Sequence, residues 1–122
     1  MDANLKNQLS ALDILGQDTI NEFKRKHGQI SELIIEADEL GNDIGMLVVV
    51  HKPTRSAFAR FLRDSQTNAF NAMQAMMLDC TLYPSTEVLR QAFTDEPGLV
   101  VTFGNKLAAL AKANLECLQK HL

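Results

Sequence analysis

A chain of 122 residues, 46% hydrophobic and 22% charged, is long enough for one domain with its own core and too short for a second full one. This composition excludes disorder over most of the length, and with no Trp and one Tyr the core is expected to be aliphatic. A net charge of −3 excludes a global attraction to nucleic acid or to an anionic membrane, so any such binding would have to be local.

Residues 2–15 place Leu5, Leu9, Leu12 and Ile14 or Leu15 on one helical face, with Asp2 as a candidate N-cap and Gly16 as the stop. Asp18 or Thr19 then opens a second helix, and Thr19 to Glu22 has the capping-box form. Lys24, Arg25, Lys26 and His27 gather where positive charge suits a helix C-terminus, ahead of Gly28. This run is expected to be a solvated helix end rather than a phosphate-binding patch.

From Gln29 the period changes to two. Ile30, Glu32, Ile34 and Glu36 fall on one side, and Ser31, Leu33, Ile35 and Ala37 on the other. The run Asp38 to Asp43 is turn-like, with Gly41 and Asn42 tolerant of positive φ. Residues 30–37 are therefore expected to pair antiparallel with residues 44–51. Two strands form a marginal sheet in water, so helices must cover a face or another subunit must extend an edge.

Val48, Val49 and Val50 are β-branched in succession and suit a buried strand. Pro53 ends it, and Thr54 can cap a helix over 54–64 in which Phe58, Phe61 and Leu62 recur at helical spacing. Lys52, Arg55, Arg60 and Arg63 line the polar side of this step and form a candidate basic contact surface. Its aromatics fall on the opposite, apolar face, which favours a solvated face over a nucleic-acid site.

Residues 67–82 read as a helix with Phe70, Met73, Met77 and Cys80 on one stripe and Met76 alongside. Such a stripe is either adaptable core filling or a surface for varied apolar partners. Ser85 caps the next helix, in which Val88, Leu89, Ala92 and Phe93 are expected to face inward. A last helix is expected over 97–120, with Leu107, Ala111, Leu115, Leu118 and Leu122 as one stripe. The part beyond Ala113 is the portion most suited to an interface.

The architecture expected is α+β: a helical segment over 1–28, one antiparallel hairpin over 29–51 and about four helices over 54–122, in a single domain. Cys80 and Cys117 have no zinc-ligand spacing and read as two buried free thiols of a reducing compartment. The chain start lacks a signal-peptide pattern, and no apolar run reaches the ~18 residues of a membrane span, so a cytoplasmic protein is expected. His27, His51 and His121 lie far apart, and no Walker loop, HExxH or GxSxG is present. No catalytic, cofactor-binding or metal-binding residue is assigned.

Several landmarks follow one another: Phe23 to Gly28, the hairpin, then Lys52-Pro53-Thr54-Arg55 with Phe58 and Phe61. Asp79-Cys80-Thr81-Leu82-Tyr83-Pro84-Ser85 and Glu96-Pro97-Gly98-Leu99 come next. Over roughly residues 20–110 this order resembles small tail-assembly chaperone-like proteins of tailed phages and prophages, which similarly carry a KPTR step, a DC-x-LYPS junction and a late PGL. The resemblance implies a non-enzymatic role in a bacterial host: keeping a tail component such as the tape-measure protein soluble during assembly. It implies a protein partner, leaves a homo-oligomer open, and involves neither membrane nor cofactor. A holding protein needs apolar surface that can be covered reversibly. The candidates are Met73, Met76 and Met77, and Leu115, Leu118 and Leu122. The alternative is a small nucleic-acid-binding or regulatory module using the basic 51–63 segment.

Overall fold

In a computed structural model the chain is built around the strand Met46–His51 (β2), in which Leu47, Val48, Val49 and Val50 are all buried. The structure describes residues 9–41, 45–113, 115 and 117–122. A strand with both faces apolar needs a covering layer on each side. Val48 and Val50 join Met76, Met77, Cys80, Leu89, Phe93, Val100, Phe103 and Leu107 in the larger core. Leu47 and Val49 join Ala11 and Ile20, with Leu15, Phe23 and Tyr83 packed around them. The sheet thus lies between an N-terminal helical layer and a C-terminal one.

The elements run Ala11–Leu15 (α1), Gln17–His27 (α2), Ile30–Ile35 (β1), Ala37–Leu40 (α3) and β2. Arg55–Ser65 (α4), Ala69–Cys80 (α5), Thr81–Tyr83 (β3), Thr86–Asp95 (α6) and Gly98–Leu110 (α7) follow. This is the expected α+β class. β1 pairs antiparallel with β2 from Ile30 opposite His51 to Ile35 opposite Met46, which is the register that pairing 30–37 with 44–51 implies. Leu33 and Ile35 pack on the larger core and Ile30 on the smaller one. Glu32 reaches back across the sheet, and its carboxylate accepts from the Ala11 N–H at 2.7 Å, satisfying a donor at the start of α1.

Several boundaries differ from the sequence reading. Asp2 and Leu5, and the turn residues Asn42 and Asp43, lie outside the described residues. α1 is capped by Ser10, whose hydroxyl accepts from the Leu12 N–H at 3.2 Å. Gly16 ends α1 and directly opens α2, so Thr19 already sits in the first turn and the capping box does not form. Glu22 instead pairs with Arg25 and, at 3.7 Å, with Lys26.

The helix expected over 67–82 stops at Cys80, and Thr81–Tyr83 becomes a third strand on the free edge of β2. Pro84 disfavours helical backbone at Tyr83, and the β2 edge offers that backbone other partners. α5 and α7 approach so closely at Gly104 that an added Cβ would lie 2.4 Å from Met73 Cγ.

The largest departure is at the C-terminal end, where the helix expected over 97–120 ends at Leu110. Lys112 adopts a left-handed conformation with φ 64°. Its N–H donates to the Ala109 carbonyl at 3.0 Å, and the Ala113 N–H donates to the Ala108 carbonyl at 3.2 Å. These two bonds form a Schellman motif, which satisfies carbonyls that a helix end leaves without partners.

Candidate interaction surface

The strand-to-helix step between β2 and α4 sets out an apolar groove. Pro53 is buried and has no N–H, so the ladder cannot continue past it. The Thr54 hydroxyl accepts from the Ala57 N–H at 3.1 Å and starts α4 at once. Phe58 and Phe61 pack against the larger core with ring centroids 5.7 Å apart. Leu62 cannot reach that core as well and is 52% exposed. The result is a groove of about 450 Å³ lined by Pro53, Phe58, Ala59 and Leu62, with Ala111 across it and Lys52 and Arg55 also on its walls. That volume falls within the ~300–1,000 Å³ typical of sites that take a ligand or a side-chain cluster.

The four basic residues of the candidate contact surface do not act as one. Arg60 pairs with Asp79 of α5, and Arg63 pairs with the neighbouring Asp64 at 3.1 Å. Lys52 and Arg55 form no salt bridge among the described residues. Lys52 also lines a smaller cleft of about 110 Å³ with Gln29, Ser31 and Lys112. Of these four, the two without a salt bridge among the described residues, Lys52 and Arg55, lie where β2 gives way to α4, and Arg60 and Arg63 further along α4 are paired. A larger cleft of about 530 Å³ lies at the other end of β1 and has the opposite character, with Glu36 and Glu39 beside Ile34, Leu40 and Leu99.

The two apolar candidates separate cleanly. Met76 and Met77 are buried in the larger core and Met73 packs on it beside Gly104, so this stripe is corrected from a partner surface to core. Met side chains fill the irregular space between α5 and α7, where Gly104 leaves no Cβ. Leu115 and Leu118 are 67% and 86% exposed, and Leu122 is fully so. They lie past the Schellman turn and outside any helix, so the stripe that begins at Leu107 and Ala111 is interrupted before it reaches them. Val88, expected to face inward, is exposed on α6, while Leu89 and Phe93 are buried as expected.

Two further groups come out differently from the sequence reading. His27 and His51 are distant in sequence but stack in space, with centroids 4.8 Å apart. Among the described residues no group of three or more His, Cys, Asp or Glu side chains could hold a metal ion. Cys80 is buried, and burial pushes its thiol up to about 11, with the Asp79 charge acting in the same direction. Cys117 is exposed, which corrects the expectation of two buried thiols. The groove itself had no sequence signal of its own: Leu62 sits on the apolar stripe of α4, and only the placement of α7 decides that it stays half uncovered.

Among the described residues no helix is long and apolar enough to cross a membrane. None of the curated proteins compared matches this chain. Of the solved structures, an uncharacterised protein, rbstp2171 from Bacillus stearothermophilus, is similar: it is 25% identical, with a TM-score of 0.69 over 83% of this chain and 99% of that one. The match to a domain of unknown function, DUF6848, spans residues 23–120, from α2 through the exposed leucines at 115 and 118, and the chain belongs to that family.

Proposed function

We propose that this protein is a non-enzymatic assembly factor of the phage tail chaperone kind, which holds an apolar segment of a tail component such as the tape-measure protein in the cytoplasm of the bacterial host. The observation that carries the reading is the groove of Pro53, Phe58, Ala59 and Leu62, an apolar floor beside two cations, Lys52 and Arg55, that form no salt bridge among the described residues. Such a groove suits the apolar face of an amphipathic helix whose flanks are acidic. Lys52 and Arg55 would fix its direction and speed its capture, while the apolar floor supplies the affinity. The order of the Lys52-Pro53-Thr54-Arg55 step and the Asp79 to Ser85 junction, which resembles that of tail-assembly chaperones, supports the same reading. The test is light scattering of a tape-measure protein with and without a molar excess of this chain. Suppressed aggregation that is lost in Leu62→Lys is expected; unchanged scattering with the unaltered chain sinks the reading.

A second reading, a nucleic-acid or regulatory module, draws on Lys52 and Arg55 having no carboxylate partner among the described residues and on Lys112 lining a cleft with Lys52. Arg60 and Arg63, already paired, add little to it. Binding to generic duplex that falls steeply with salt would favour this reading, and no association at low ionic strength removes it.

A further inference from the structure

The sheet runs β1-β2-β3, so β1 is an edge strand. In an antiparallel pair every second residue turns its N–H and C=O away from the partner strand. Among the described residues no hydrogen bond reaches these outward groups of β1. Over Ile30–Ile35 there is no Pro, no Lys and no bulge against β2 to blunt the edge. α7 runs alongside it. The cleft of about 530 Å³ takes Ile34 and Ile35 from β1 and Leu99 and Thr102 from α7. The cleft of about 110 Å³ takes Ser31 from β1 and Ala109 and Leu110 from α7. Ile34 and Ile35 point to opposite faces of the sheet, so a cleft lined by both lies at the edge of the strand. From Ser31 to Ile35 β1 advances about 13 Å, and from Thr102 to Leu110 α7 advances about 12 Å, so the two clefts are the ends of one valley. Its ends carry opposite charge. Glu36 and Glu39 line one, Lys52 and Lys112 line the other, and none of the four forms a salt bridge among the described residues. Lys106, exposed one turn before Leu110, adds to the positive end. Leu9, where the described residues begin, packs with the smaller core, on the sheet face away from α7.

We propose that this valley takes an extended segment of a partner protein as a further strand antiparallel to β1, with a basic residue against Glu36 and Glu39 and an acidic one against Lys52 and Lys112. Main-chain bonds to the β1 edge supply the affinity, in the manner of strand addition to an exposed sheet edge. The charges at the two ends set the register and reject segments that carry one sign throughout. The antiparallel sense follows from the slightly greater stability of that ladder. Apart from Lys52, which lines both, the valley shares no lining residue with the Pro53 groove. It therefore stands whether or not the chaperone reading does.

The probe is a fluorescent, end-blocked peptide in which Lys and Asp bracket about five alternating Val and Thr residues, a length that spans the valley. It is titrated with the full chain and followed by anisotropy, and saturable binding is expected. N-methylation of alternate peptide residues removes the N–H groups of one side of the strand. Methylation of the side facing β1 should weaken binding about tenfold or more, and methylation of the side facing solvent should leave it within about twofold. Glu36→Lys combined with Glu39→Lys should weaken binding of this peptide by a similar factor and strengthen that of a peptide with Asp at both ends. Leu62→Lys, in the Pro53 groove, should leave binding unchanged. No binding to the unaltered chain, equal losses from the two methylation patterns, or a double-lysine variant that binds both peptides as the unaltered chain does overturns the proposal. So does binding that is lost in Leu62→Lys, which would place the peptide in the Pro53 groove. No client is present in any arm, so failure here leaves the chaperone reading to its own light-scattering test.

Discussion

His27, the last residue of α2, lies ring on ring with His51, the last residue of β2, the planes 2° from parallel. The Nδ1 atom of His51 is 2.8 Å from the Lys52 carbonyl, which fits that nitrogen carrying its proton and donating. The stack joins the N-terminal helical layer to the end of the central strand, beside the free charge of Lys52. Burial holds the His27 ring below its ordinary value of 6.5, and repulsion from His51 and Lys26 adds to that.

The pH dependence follows from this direction. The unfolded chain takes up the His27 proton near pH 6.5, and the folded chain takes it up only at lower pH. The neutral His27 ring, held below its ordinary value mainly by burial, therefore contributes its full stability above pH 6.5 and loses it progressively as the pH falls from there toward the folded value. His27→Gln should flatten the decline in Tm between about pH 7 and 5 relative to the unaltered chain. Melting curves across that range decide it, and parallel declines for the two proteins would remove His27 as a source of pH sensitivity.

The reassignment of the methionine stripe predicts a contrast between two apolar residues. Met77 is fully buried between the sheet and α7, so Met77→Ala should cost about 2–5 kcal/mol through lost transfer energy and a cavity. Val88 is 56% exposed, and Val88→Ala should stay within about 0.5 kcal/mol. Urea unfolding measures both. A stripe held ready for clients would bring Met77→Ala down to the same small effect as Val88→Ala, because an open methionine face loses little on truncation.

Much of this fold is legible in the sequence because its local signals agree with one another. Val48 to Val50 specify a doubly buried strand, and the period-two run from Ile30 fixes the register against it. Pro53 and Thr54 mark the handover to α4 to within a residue. What is not legible depends on neighbours distant in sequence. Thr81 to Tyr83 turns from helix to strand because an unpaired β2 edge happens to lie beside it. Met76 and Met77 carry the same pattern whether they face a core or a client, and only α7, brought close at Gly104, settles which. The groove arises in the same way, from the meeting of Leu62 and Ala111 across the fold. His27 and His51 meet because α2 and β2 end at the same edge of the sheet, which neither residue's surroundings in the sequence reveal.

The two thiols should differ sharply in reactivity. Cys80 is buried and held protonated, its thiol pushed up to about 11, whereas Cys117 is open to solvent. Because the thiolate is the reacting form, a chromogenic disulfide reagent at neutral pH should titrate one thiol per chain quickly and the second only as the protein unfolds. Cys117→Ser should remove the fast phase entirely. A fast phase that persists in that variant would mean that the layer over Cys80 opens readily, which is incompatible with its place in the core beside Met76 and Met77.

Lys112 holds the turn that ends α7. A non-glycine residue in the left-handed region is disfavoured by about 1–2 kcal/mol, because its Cβ crowds the following carbonyl. Glycine removes that cost but, through its freedom in the unfolded chain, gives back about 0.5–1 kcal/mol. Lys112→Gly should therefore raise stability by up to about 1 kcal/mol, and Lys112→Val, whose branched Cβ fits the left-handed region still less well, should lower it. Urea titration with an unchanged slope is the measurement. If α7 instead continued toward residue 120, as the leucine spacing alone implies, position 112 would be a helix interior. Glycine there would cost about 0.8–1 kcal/mol relative to alanine, the opposite sign for the glycine variant. The sign of that one substitution therefore separates a helix that ends at Leu110 and frees the leucines beyond it from one that carries them on its own surface.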